Sequence, residues 1–154
     1  MKKLVNKKAS FDYFLDDCLE VGIVLTSIEV KSIIKGSVNL KQSYVKIIDN
    51  GKSLELFLLN CNITPPTNQP NIDMFTRVSV DPIRPKKLLA SKKQIKKFFK
   101  IISEKTKTLI IKDMYISGSG KIKCTLCVGT GKKLYDKRQS LKEKDLKRRT
   151  KDEY

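Results

Sequence analysis

The sequence predicts a mostly β protein with accessory helices: a small antiparallel barrel followed by a basic tail without fixed structure. Three observations predict it. β-rich runs come in pairs around turn residues, only one helical run is strongly periodic, and beyond Gly131 large apolar residues thin out while charge persists. At 154 residues and 40% hydrophobic, the chain fits one domain with a modest core plus a tail.

Residues 1–10 are basic and are expected to be mobile. From Phe11 to Leu25, Tyr13, Leu15, Leu19, Val21, Ile23 and Leu25 share one parity, the period of a strand, and Gly22 allows a bulge or bend. "SIEVKSIIKG" then fits a short helix near 28–35 that Gly36 stops. "SYVKIIDNGKSLELFLLN" is a hairpin, because two β-rich runs flank Asp49-Asn50-Gly51, which suits positive φ. Three prolines make 60–72 a loop, and "DPIRPKK" fixes the chain before the next helix.

That helix, 91–103, opens on a capping box, Ser91 with Gln94. Ile95, Phe99 and Ile102 form its apolar face, opposite Lys93, Lys96, Lys97 and Lys100. The lysine face serves equally as a solvated surface or as an RNA contact. A second hairpin follows, "TLIIKDMYI" and "KIKCTLCV" around "SGSG" at 117–120. The sum is five or six short antiparallel strands over 11–130, which close most economically as a small barrel. An oligonucleotide-binding (OB-like) barrel agrees with the size and charge, although the pattern does not give strand order.

Charge points to the partner. Thirty-three Lys and Arg face 16 Asp and Glu, a net charge of +17. Such a surface selects phosphate polymers, which release condensed counterions when neutralised, with an anionic membrane as the rival. No run is long enough to span a membrane and no signal peptide or lipidation motif is visible, so the chain is expected in the cytosol.

The chain has no histidine, and its carboxylates form no recognisable motif. No catalytic residue, cofactor or metal is expected. "CTLC" is a single CxxC without a second pair, so Cys18, Cys61, Cys124 and Cys127 are expected as reduced, small strand residues.

The tail, 131–154, holds ten bases and five acids among its last 23 residues, 132–154, which contain no Gly or Pro. Asp136 with Gln139 reads as a capping box, and Glu143–Lys147 and Asp145–Arg149 have the favourable helical order. Each such pair supplies about 0.2–0.5 kcal/mol, against about 1–2 kcal/mol to order each residue. The helix is therefore expected only against a partner. Leu134 and Tyr135 either end the last strand and pin the tail, or Tyr135 stacks on a base or sugar.

"GKKLYDKR" at 131–138 resembles the tail-opening motif of the small protein B family, the SsrA-binding partners of transfer-messenger RNA (tmRNA). "NKKASFDYF", "LEVGIVLTSIEVKS", "GSVNLKQSYVKI" and "DPIRPKKLL" resemble further family segments in the family's order, covering about 6–145. The resemblance implies an OB-like barrel that grips the tRNA-like domain of tmRNA. It also implies trans-translation, the rescue of stalled bacterial ribosomes, with the tail entering the vacant small-subunit decoding region and mRNA channel as a helix. Position by position, Glu20, Leu89 and Lys123 match RNA-binding residues. Gly131, Lys132, Lys133, Asp136, Lys137 and Arg138 match the tail motif, and Tyr135 sits where members carry Tyr or His. "LKEKD" at 141–145 resembles the family's I-K-E-R-E/D stretch.

The chain departs from the pattern at Phe11 and Ser91, where members commonly carry histidine, in the loop at 65–76, and in a tail that ends earlier past Arg138. The expected protein is a monomeric, non-enzymatic RNA-binding factor without a membrane partner. The rivals are a general OB-fold RNA- or ribosome-binding protein and an RNA-modifying enzyme.

Overall fold

The computed structural model describes residues 3–65, 81–104 and 106–152. Regular structure begins at Leu4. Strand β1 (Leu4–Val5) and helix α1 (Lys7–Asp12) occupy the stretch expected to be mobile. Asn6 explains the difference. Its buried side chain accepts from the Ala9 amide as the α1 cap, while its Nδ2 donates to the carbonyls of Leu40 at 3.0 Å and Ile111 at 3.2 Å. Three segments distant in sequence are thus tied through one amide, satisfying backbone groups that would otherwise be buried unpaired.

The remaining strands are β2 (Tyr13–Ile23), β3 (Val38–Asn39), β4 (Tyr44–Asp49), β5 (Leu54–Leu59), β6 (Asn62–Ile63), β7 (Lys86–Leu89), β8 (Lys107–Ile116) and β9 (Ile122–Gly131). The helices are α2 (Ser27–Ile34), α3 (Lys92–Ile102) and α4 (Leu134–Asp152). The main sheet runs β1-β8-β4-β5-β7-β2-β9, and β9 pairs again with β8. The circuit of six strands therefore returns to its start, all antiparallel, with β1 an outer addition to β8. β3 and β6 form a separate ribbon. Leu56, Leu58, Leu88, Ile111, Met114 and Leu126 fill the interior.

Both hairpins lie where turn chemistry predicts them. Gly51 and Gly120 take φ of +88° and +82°, and Gly36 ends α2 at +80°. β7 had no counterpart in the sequence pattern.

Four expectations shift. The bulge in β2 falls between Asp16 and Leu19, not at Gly22, and Asp17 takes φ +49° there. One extra residue reverses the alternation, so Tyr13 and Leu15 lie on the opposite side of the ribbon from Leu19, Val21 and Ile23. Phe11 belongs to α1 rather than to the strand. In α3 the capping box forms as expected, but Ile95 and Phe98 are buried while Phe99 is exposed. Either phenylalanine completes a helical face with Ile95 and Ile102, and packing chose the first. The loop predicted over 60–72 begins as expected, except that Asn62–Ile63 is strand; its part beyond Pro65 lies outside the described residues.

Candidate nucleic-acid interface

The inward side of the β7-β2-β9-β8 sheet is set by Leu88, Val21, Cys124 and Met114, all buried. Their neighbours in sequence must face outward. Register then places Leu89 opposite Gly22, Gly22 opposite Lys123, and Lys123 opposite Tyr115. These four residues form one row across four strands. The next row is Glu20, Thr125 and Asp113. Glu20, Leu89 and Lys123 thus come together on one outward face, from positions as far apart in sequence as 20 and 123.

Local chemistry holds this face in shape. Leu89 is 51% exposed and lies against the backbone of Gly22, where a Cβ would stand 3.3 Å from the Leu89 Cβ. Glycine at 22 lets the leucine lie over the ladder. The Tyr115 hydroxyl donates to the Glu20 carboxylate, and this bond pushes the phenol up to about 12. Lys3 sits 5.3 Å from the centre of the Tyr115 ring. The Thr125 hydroxyl donates to Asp113 at 2.5 Å. The face therefore offers a held carboxylate, an exposed aliphatic side chain and a half-buried ammonium.

The β7 strand is positioned by a cluster that the sequence did not reveal. Glu29 and Thr26 form a capping box at the start of α2. The same Glu29 carboxylate pairs with Arg84, whose guanidinium also donates to the Val24 carbonyl. Lys86 is fully buried and donates to the carbonyls of Cys61 at 2.6 Å and Pro82 at 3.1 Å. Burial pulls the Lys86 ammonium below its ordinary range. The Thr26-x-x-Glu29 spacing was the available signal for the cap. Nothing in the pattern signals a buried lysine.

The tail leaves the barrel at Gly131, where β9 ends. The Lys132 amide donates to the Asp12 carbonyl at 2.9 Å, and its ammonium donates to the Ser10 carbonyl and lies over the Phe14 ring. Residues 134–152 are helical where the sequence predicts no fixed structure in the free chain. Lys137 pairs with Asp12 at 3.3 Å, and Lys144 lies 5.6 Å from the centre of the Phe11 ring. Lys133 and Arg138 are exposed, as are Leu141 and Leu146, at 50% and 63%. Leu134 and Tyr135 do not end the last strand; they open the helix. Asp136 falls inside the first turn rather than at the cap, because the helix begins two residues before it. The side chains of Leu134, Tyr135 and Asp136 lie outside the described residues.

The cysteines also depart from expectation. Cys18 and Cys127 are joined in a disulfide, while Cys61 and Cys124 are buried free thiols. The β2 bulge brings Cys18 across from Cys127, with Cα atoms 4.1 Å apart, a placement invisible without the bulge. Burial pushes the Cys61 thiol up to about 11, and the Cys124 thiol upward as well.

Fold and face together define a class: a small antiparallel β protein of net charge +17 with a mixed polar and apolar sheet face and a basic helical tail. The comparisons then specify it. The family model described as "SmpB protein" matches residues 3–154, and the chain belongs to that family. It is 43% identical over 149 residues to the SsrA-binding protein of Rickettsia typhi, covering 96% of this chain and 91% of that protein. It is 42% identical over 145 residues to the SsrA-binding protein of Alkaliphilus metalliredigens, covering 94% and 85%. Among solved structures it is similar to a chain described as "tmRNA-SmpB: a journey to the center of the bacterial ribosome". The TM-score is 0.69 and the identity 29%, over 92% of this chain and 95% of that one.

Proposed function

We propose that this protein binds tmRNA in trans-translation, with its sheet face on the tRNA-like domain and its tail in the vacant decoding region of the stalled ribosome. The observation that carries the reading is the convergence of Glu20, Leu89 and Lys123 on one outward face. Each supplies a distinct contact. The Glu20 carboxylate, held by Tyr115, accepts from base or sugar donors. Leu89 packs on a ribose or base, and Lys123 neutralises a phosphate. The relatives' names, as SsrA-binding proteins, support the same partner.

The protein acts as a monomeric binding factor in the cytoplasm, without catalysis. No described helix is long and apolar enough to cross a membrane. The tail residues Gly131, Lys132, Lys133, Tyr135, Asp136, Lys137 and Arg138 work on the ribosome. Among the described residues the helix leans on α1 through the Lys137–Asp12 ion pair and the contact of Lys144 with the Phe11 ring. An exposed ion pair contributes about 0–1 kcal/mol, too little to order 19 residues by itself.

The test is equilibrium binding of Lys123→Ala to the tRNA-like domain over a range of salt. The variant should bind more weakly, with a salt slope shallower by about one counterion, since the slope counts neutralised phosphates. Excess duplex RNA should not displace the wild type. An unchanged slope would show that Lys123 is merely solvated.

A further inference from the structure

Tyr115 has a second side. Its hydroxyl faces Glu20 on the sheet, while its ring borders a groove of about 420 Å³ at the end of the barrel. The groove is lined by Leu4, Ile33, Ile34, Met114, Tyr115 and Ile116 and closed at one end by the turn at Ser117-Gly118. Its walls come from β1, the last turn of α2 and the end of β8. Ile34 is 59% exposed at its lip, a large aliphatic side chain left to solvent on a highly charged protein.

The rim is basic. Lys3 lies over the Tyr115 ring. Lys31 stands one turn before Ile34 on α2, and Lys35 directly follows it; both are exposed. At the 117–121 turn the Ser117 amide donates to the Lys121 carbonyl at 2.7 Å, and the Lys121 amide donates to the Ser117 hydroxyl at 3.3 Å. Lysines thus flank the slot, with Lys3 over the Tyr115 ring and Lys31 and Lys35 exposed on α2 beside Ile34 in sequence, which suits a flat apolar ring carrying a phosphate.

We propose that this groove is a nucleotide subsite, which takes one unpaired base of the RNA seated on the neighbouring sheet face. The subsite rests on the RNA-binding reading and deepens it. Lys3, Lys31 and Lys35 hold the flanking phosphates, and the base slides between Ile34 and the Tyr115 edge. An unstacked base gains there the apolar contact it lost in its own stack. The groove is continuous with the Glu20–Lys123 face through Tyr115, so one RNA reaches both.

The probes are two short RNA hairpins, one fully paired and one carrying a single bulged 2-aminopurine. The full-length protein should bind the bulged hairpin about tenfold more tightly, the scale of one stacked base. The 2-aminopurine fluorescence should change on binding. Ile34→Gln, at an exposed position, should abolish the preference and the fluorescence change while leaving the fully paired hairpin and the salt slope as they were. Equal wild-type affinity for the two hairpins would overturn the subsite and leave the RNA-binding reading standing. Equal weakening of both by Ile34→Gln would also overturn it, as a general effect on the fold. Binding of neither hairpin, even at low salt, would overturn the subsite, while the RNA-binding reading is tested separately on the tRNA-like domain.

Discussion

Glu20 is an acid on the surface of a protein with a net charge of +17, and its carboxylate is held by Tyr115 rather than by a lysine. That bond makes the face testable by pH. The folded chain keeps the Tyr115 proton up to about 12, whereas the unfolded chain loses it near the ordinary tyrosine value of about 10. The bond's contribution is therefore complete below that ordinary value and is lost as pH rises toward the folded one. Ultraviolet titration of the tyrosines should show one phenol ionising late, and Glu20→Ala should return it to the ordinary range. A late phenol that persists in Glu20→Ala would place the cause elsewhere. Tyr115 could not be read from the sequence, because a tyrosine in an alternating strand looks like any cross-strand aromatic. Glu20, Leu89 and Lys123 became visible only through the family motifs; taken singly, an acid, a leucine and a lysine in strands are ordinary.

β7 shows what a pattern leaves hidden. It is four residues long, begins directly after Pro85, and carries two lysines, one buried and one exposed. Neither alternation nor length marks it as a strand, yet it carries Leu89 and joins β5 to β2. The hairpins, by contrast, were legible because Asp49-Asn50-Gly51 and the 117–120 glycines dictate turns locally. What positions β7 is the pairing of Arg84 with Glu29, whose side chain is almost wholly buried. Arg84→Ala should destabilise the fold by about 3 kcal/mol, because it strands a buried carboxylate. Chemical denaturation measures this, and adding Glu29→Gln to the same chain should recover part of the loss. A loss below about 1 kcal/mol would mean that solvent already screens the pair. The disulfide was hidden for a related reason: pairing Cys18 with Cys127 needs the bulge, and no single residue in "LDDCLE" announces one.

At the scale of the molecule, a closed circuit of strands fixes one face, and a helix of low apolar content leaves it from Gly131. The two parts differ in how they are held. The barrel has a continuous apolar interior, while the described tail meets α1 through Lys137, Lys144 and the chain at Lys132. Amide hydrogen exchange should separate them. In the free protein, 134–152 should exchange orders of magnitude faster than β8 and β9, and should slow on a ribosome with an empty decoding site. Equal protection of tail and barrel in the free protein would mean that the helix is a fixed part of the fold. The barrel was legible from hairpins and size. The helical tail was legible only as a capacity, since its sequence permits helix without providing the contacts to hold one. If the Glu20–Leu89–Lys123 face selects the tRNA-like domain of tmRNA, sequencing the RNA that copurifies with the full-length protein should find tmRNA dominant, and depleted in Lys123→Ala. Ribosomal and transfer RNAs in their cellular proportions, unchanged by the substitution, would rule that selection out.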